Sequence, residues 1–535
     1  MTQAANEKTV RAPFDGKILK WMSIPAIPRR LDGKFVIETT DPRTGEMREF
    51  PIERTVGSRR MQQYLTKVGD RFVRLPVAYS MEENRWFHLS EAFFSPDGMD
   101  YHANTAVWDA NCIFCHNVGA DPGWNGSKRA NPIVGMEGTF DSHVAELGIA
   151  CEACHGPGEA HLQKWKSVSK PVTLPASRPA DASIVNPERL AKDLSTMVCG
   201  HCHGQRVPAE EAAIRKIMAK GDPYRPGEDL SKYYKPVTHE TRVGEFSFAP
   251  RFWKDGSPRL TAYEYQGLLR SKCFTKGNMN CLSCHTMHEG DPHGQLRPDL
   301  PGNKLCLQCH HEYEGEKLTA HTHHPEGAPG SSCIACHMPP VVYGVMSWHP
   351  THEIKTPDPV HSAEFKKPDA CTVCHTDKSL QWAEARVRDW WPKEGRTTAA
   401  LAAEFATPEI PRALFAGDAV YRTLAAQRLG LPAPSRRMAK WAVPMLAMAL
   451  TDEYPNVRRT ARNSLVALTG DSSLPQALDP AEARTEAMGR WAHDPVTPAP
   501  SARTRMPFDA QGLINTTQTI EWKKMRVEVP VTVGE

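Results

Sequence analysis

Fourteen of the fifteen cysteines in this chain stand in pairs three positions apart, and every pair is followed at once by a histidine. The seven motifs are Cys112-Ile113-Phe114-Cys115-His116, Cys151-Glu152-Ala153-Cys154-His155, Cys199-Gly200-His201-Cys202-His203, Cys281-Leu282-Ser283-Cys284-His285, Cys306-Leu307-Gln308-Cys309-His310, Cys333-Ile334-Ala335-Cys336-His337 and Cys371-Thr372-Val373-Cys374-His375. At the Cys and His frequencies of the chain, chance would produce about 0.02 such motifs. Two thiols at this spacing share one helical face and can reach the two vinyl groups of one porphyrin, while the next histidine turns its imidazole toward the iron. The expected chemistry is covalent attachment of seven haem c groups through these cysteine pairs, with His116, His155, His203, His285, His310, His337 and His375 as proximal ligands. Structural zinc fits less well, because zinc knuckles need two pairs per metal, favour even numbers and leave the histidine optional. Thioredoxin-like chemistry expects a βαβ pattern around the motif, which none of the seven has. Cys273 is left over and reads as a small buried residue.

Each iron has a second axial position. Seven of the 23 histidines are proximal, and the sixteen that remain are enough to cap every iron. Bis-histidine ligation follows, with lower potentials than a His/Met pair would give. His102, His161, His288, His324 and His352 are the expected distal ligands, and His143, His239 and His361 are further candidates. His324 is preferred within the cluster His321-Thr322-His323-His324. His88, His201, His293, His311 and His493 read as surface or hydrogen-bonded residues.

The formal net charge of +3 over 535 residues gives no support for a nucleic-acid partner. No run of about 18 apolar residues is present, so no transmembrane segment is expected. The 45 prolines argue for much loop and extended chain. Met1 to Lys8 lacks the apolar core of a secretory signal, whereas haem c is attached on the outer side of the cytoplasmic membrane. The expectation is therefore a periplasmic or extracellular protein whose signal was removed or whose start codon is misplaced.

Four elements must position the motifs. Residues 1–100 are expected to form a β-rich module, with Lys34–Thr40 a strand, Asp41–Gly45 a turn, Arg48–Ile52 the return strand and Arg71–Val77 a further strand. Residues 101–380 form the seven-haem core. Its last four motifs start only 25, 27 and 38 residues apart. Such short stretches cannot bury a core of their own, so the haems must supply it. Residues 381–494 turn helical. There, Asp418–Leu429 and Glu453–Leu465 share a Val/Tyr-Arg-x-x-Ala-x-x-x-Leu spacing similar to HEAT repeats, and a plain bundle fits equally. Residues 495–535 form an extended, Pro-rich tail.

The stretch Gly148–His161, together with Asn280–His288, His321–Pro339 and Pro368–Lys378, resembles a family of multihaem c-type cytochromes. It belongs to the superfamily of hydroxylamine oxidoreductase, pentahaem nitrite reductase and the tetrahaem cytochrome of ammonia oxidisers. The resemblance covers roughly residues 30–390 and implies a C-terminal helical-repeat domain. Relatives usually carry one more motif upstream of the β-rich module. The Cys-x-x-Cys-Lys of some catalytic haems does not occur here. The expected fold is mainly α and irregular: a multihaem cytochrome c core organised around stacked haems, a small N-terminal β-rich module and a C-terminal helical domain. The expected function is electron transfer between other redox proteins, compatible with a homo-oligomer or a complex subunit. Two alternatives are reduction or oxidation of a small nitrogen or sulfur compound at one five-coordinate haem, and a subunit of a cytochrome filament.

Overall fold

The computed structural model describes the chain except residues 22–23, 42–43, 99–105, 127–137, 167–180, 261–262, 292–293, 344–345, 393–400, 432–440, 497–504 and 532–535. It opens with two antiparallel sheets. Strands β1 (Thr2–Ala4), β2 (Leu19–Trp21), β3 (Ile24–Leu31), β4 (Lys34–Thr40), β5 (Met47–Pro51), β6 (Arg54–Val56), β7 (Met61–Val68), β8 (Arg71–Ser80) and β9 (Arg85–His88) follow in chain order. The four-stranded sheet runs β2-β3-β4-β5 and the five-stranded sheet β1-β6-β7-β8-β9. In β3–β4 the register sets Ala26 opposite Thr39 and Leu31 opposite Lys34. Alternation sends Phe35 and Ile37 inward, where they join Phe14, Tyr64 and Trp86. Phe14 meets Phe35 edge-on at 5.0 Å and Trp86 at 5.4 Å.

This corrects the expected fold class. Among the described residues the chain is mixed α/β, with 37% helix and 19% strand and several antiparallel sheets, rather than mainly α and irregular. Much of the strand that was not anticipated lies in two-stranded ribbons between the motifs. Asn117–Val118 pairs with Glu146–Leu147, Arg206–Pro208 with Tyr234–Pro236, Arg242–Val243 with Phe246–Ser247 and Pro340–Tyr343 with Ser347–Pro350. Strands of two to four residues are too short for hydrophobic periodicity to reveal them.

From Leu380 onward the chain forms helices, among them Leu380–Trp390, Glu409–Ala416, Ala419–Gly430, Ala442–Ala449, Pro455–Thr469 and Ala481–Ala492. Ala419–Gly430 and Pro455–Thr469 lie against each other. Asn456 Nδ2 donates to Thr423 Oγ1 at 3.0 Å, and a Cβ on Gly430 would sit 2.2 Å from Ser464 Oγ. The C-terminal segment is not wholly extended as expected, because Thr516–Lys524 is a helix. Asn515 caps it, and Trp522 packs on Phe415 with ring centres 6.0 Å apart. No helix among the described residues is long and apolar enough to cross a membrane.

Candidate functional site

Each motif is a single helical turn. In the motifs headed by Cys112, Cys151, Cys199, Cys281, Cys306 and Cys371, the histidine N–H donates to the first cysteine's carbonyl at 2.9–3.1 Å. The remaining motif is the helix Cys333–His337. The turn puts both thiols on one side, with the imidazole one step further round. Neighbouring elements then fix where each turn points. The five-stranded sheet holds the first motif, since Phe72 N donates to Asp109 Oδ2 at 2.7 Å and Trp108 Nε1 to Thr2 Oγ1 at 3.1 Å. Asn280 caps the turn of the fourth motif, and Asn303 Oδ1 receives the Cys333 N–H at 2.9 Å at the sixth.

All seven motifs line one continuous cavity of about 3800 Å³. Ordinary small-molecule pockets measure about 300–1,000 Å³, so this space suits several large planar groups side by side. Thiols of different motifs meet along it. Cys115 interacts directly with Cys202, Cys199 with Cys281, and Cys306 with Cys333. Cys284 feels Cys309, Cys336 feels Cys374, and Cys154 feels Cys199. Numbered in chain order, the motifs thus form a line 1–3–4–5–6–7, with motif 2 branching at motif 3. The contact with Cys202 holds the Cys115 thiol well below its ordinary range, and burial pushes Cys336 up to about 11.

Four histidine pairs face each other across this space. Ring centres lie 6.1 Å apart for His155 and His288, 6.2 Å for His285 and His352, 6.2 Å for His321 and His337, and 6.0 Å for His324 and His375. Metal–imidazole bonds of about 2 Å on both sides of one ion, plus the distance from nitrogen to ring centre, give a separation of about 6 Å. The ring planes differ by 43°, 21°, 4° and 37°, as rotation about such a bond allows.

Hydrogen bonding leaves the correct nitrogen available. His155 Nδ1 donates to Val185 O at 2.6 Å, His285 Nδ1 to Gly294 O at 2.9 Å, His337 Nδ1 to Lys355 O at 3.0 Å and His324 Nδ1 to Thr322 O at 2.6 Å. An Nδ1 proton committed to a carbonyl puts the lone pair on Nε2, the arrangement of a metal-binding imidazole. Burial also favours the neutral form of four of the rings. It pushes His285, His321 and His375 down, and takes His352 to about 4 with help from the neighbouring His285.

Two glycines permit the close approach of these ligands. A Cβ on Gly330 would lie 2.2 Å from the His324 ring, and one on Gly267 would lie 3.0 Å from the His352 carbonyl carbon.

The expected distal residues lie in different surroundings. His288, His324 and His352 each stand opposite a proximal histidine. His321 does so as well, although the sequence favoured only His324 within that cluster; the signal available was helical spacing, because His321 lies on the helix Glu316–Thr322. His161 instead faces Ser183 at 3.2 Å and Asp181 at 3.4 Å. His361 commits Nε2 to Asp255 at 2.9 Å. His143 lies 3.3 Å from Asp141 near the surface, and His239 lies 3.8 Å from Glu240. His102 lies outside the described residues. Among the described residues no histidine ring stands at the 6 Å separation from His116, His203 or His310. His349 lines the cavity and receives a 3.1 Å hydrogen bond from Arg60 Nη1 on Nε2; burial, then the Arg60 charge, pushes it down to about 4.

No group of three or more His, Cys, Asp or Glu side chains placed to hold a metal ion occurs among the described residues. The paired imidazoles, paired thiols and large cavity do fit haem c. A family model described as a doubled CXXCH motif matches residues 273–315, the stretch holding the fourth and fifth motifs. The match indicates covalent haem c binding, a feature of multihaem c-type cytochromes. No curated protein and no solved structure matches the chain.

Proposed function

We propose that this chain is an electron carrier of the periplasm or cell exterior that holds seven haem c groups and passes electrons between redox partner proteins. The reading rests above all on all seven motifs lining one cavity, with thiols in direct contact between motifs 1 and 3, 3 and 4, and 5 and 6, and within electrostatic reach between motifs 4 and 5 and 6 and 7. Haem c, when bound, supplies a one-electron iron couple at each attachment point. The protein's own part is to fix the spacing and the ligands. The cysteine pairs bind each group covalently, so it stays in place in either redox state. His288, His352, His321 and His324 face the proximal histidines of motifs 2, 4, 6 and 7, and a haem held between two such imidazoles would keep no open position for substrate at those four motifs.

The second reading, reduction of a small nitrogen or sulfur compound, has one observation in its favour. The Arg60–His349 pair lies on the cavity wall within electrostatic reach of His203, whose motif has no facing imidazole among the described residues.

The test is protein matured in a host able to attach haem. Intact mass should show seven haems, and bare polypeptide or bound zinc would end the proposal. Single substitutions His288→Ala, His321→Ala, His324→Ala and His352→Ala should each turn one haem from low-spin to high-spin in the EPR spectrum. His161→Ala and His361→Ala should leave the spectrum unchanged. A native protein whose spectrum shifts on addition of nitrite or hydroxylamine would favour the second reading.

A further inference from the structure

A buried charged cluster lies where motifs 1 and 3 meet. Arg206 opens the short strand Arg206–Pro208, directly after the third motif, and only 10% of its side chain is exposed. Its Nη1 donates to Cys115 Sγ of motif 1 at 3.5 Å and to the carbonyl of His201 inside motif 3. Its Nη2 lies 3.2 Å from His201 Nε2 and 3.5 Å from Asp222 Oδ2. The guanidinium also covers the Tyr234 ring at 4.8 Å.

Asp222 is held as firmly. Its Oδ2 accepts from His201 Nε2 at 2.8 Å, and its Oδ1 accepts from Tyr234 OH at 2.9 Å and from Tyr224 N at 3.0 Å. Its own N–H donates to Ala120 O at 3.0 Å, just past motif 1. Gly221 allows this approach, since a Cβ there would lie 2.6 Å from the same carbonyl oxygen. The cluster therefore spans both motifs at the point where Cys115 meets Cys202.

A buried ion pair costs desolvation and is weak evidence of a stabilising purpose. Arginine is the one side chain whose positive charge survives burial unconditionally. Charge and hydrogen bonds near the attachment sulfurs are among the levers by which a protein sets a haem potential, and both act strongly at low dielectric.

We propose that Arg206, oriented by Asp222 and His201, sets the reduction potentials of the haems attached at Cys112–His116 and Cys199–His203, raising both and making this hand-over favourable to an incoming electron. The inference rests on the haem reading above. Cys115 remains a weak acceptor as a thioether, so the Arg206 contact survives attachment.

Potentiometric titration of the fully haem-loaded protein tests it. Arg206→Gln removes the charge and should lower two of the seven potentials, each by at least a tenfold change in the one-electron equilibrium, or about 59 mV. Arg206→Lys should restore most of the shift. Asp222→Asn removes the opposing charge and should move the same two potentials upward. A merely structural role predicts another pattern: loosening the cluster admits water and moves both variants in the same direction. Unchanged potentials, or shifts of one sign in Arg206→Gln and Asp222→Asn, overturn the proposal while leaving the carrier reading intact. Should Arg206→Gln not accumulate, an upward shift in Asp222→Asn with near-native potentials in Arg206→Lys supports the proposal, and any other pattern overturns it. Native protein lacking haem at motif 1 or 3 by peptide mass overturns this inference and the seven-haem reading together.

Discussion

A histidine serves as an axial ligand when one ring nitrogen is tied down and the other keeps a free lone pair aimed at the metal. His155, His285 and His337 tie Nδ1 to backbone carbonyls and leave Nε2 for the metal, whereas His361 has its Nε2 committed to Asp255. Residue type cannot express this difference, which depends on chain segments up to 106 positions away. The same scale holds a pH effect. Asp369 is 1% exposed and caps the seventh motif, accepting from Cys371 N at 3.0 Å and Thr372 N at 3.1 Å. Burial pushes its carboxyl up to about 6 despite those two bonds. Between about pH 4 and 6 the folded chain keeps a proton that the unfolded chain has lost, so stability falls as pH rises through that window. A two-unit shift corresponds to about 3 kcal/mol. Asp369→Asn should flatten the pH dependence of thermal unfolding between pH 4 and 6 and raise Tm at pH 7. An unaltered slope would show that Asp369 carries no such load.

At the scale of elements, the motif turns and the short ribbons divide the work. The turn sets thiol and imidazole direction, and the ribbon returns the chain so that another motif lies alongside. The helix Pro455–Thr469 ties this assembly to the N-terminal sheets. Arg458 binds Asp97 through both nitrogens at 2.7 and 2.9 Å, and also donates to Ala477 O and Asp452 O at 2.7 Å each. One helical step on, Arg459 pairs with Glu83, which Asn463 Nδ2 also reaches at 2.8 Å. Arg458→Met should cost about 2–4 kcal/mol in urea unfolding, because two carbonyls and one carboxylate lose their donors. The cost stays below that of a fully buried pair, since Asp97 is 41% exposed and water can take over part of its solvation. Covalent haem content should not change. The helical texture past Leu380 was legible from residue spacing. The two-residue strands and the helix Thr516–Lys524 were not, since the strands are too short for a period and the helix draws its stability from Trp522 packing on Phe415.

Over the whole molecule, apolar burial is uneven. The N-terminal sheets share one core, and the C-terminal helices share another that reaches Phe248, Phe252 and Val373. Between Cys281 and Pro340 only Leu305 and Leu318 are buried hydrophobic residues among those described. Sixty residues cannot offset their chain entropy with two such side chains, so porphyrin must take the place of a core there. Limited proteolysis should therefore cut protein made without haem attachment first within 281–340, and leave the haem-loaded protein intact in that stretch. Equal resistance in both forms would show that the polypeptide packs unaided.

The spacing of cysteine and histidine by itself determined the chemistry of this protein, because a single helical turn suffices to aim two thiols and one imidazole at a porphyrin. Local geometry of that kind is written in five consecutive residues. Only the tertiary structure decided which second histidine faces which motif, that a thiol of motif 3 meets one of motif 1, and that Arg206 lies beside them. Those relations join residues tens to hundreds of positions apart. They depend on how the sheets, ribbons and helices pack, and packing is a property of the assembled chain rather than of any stretch of it.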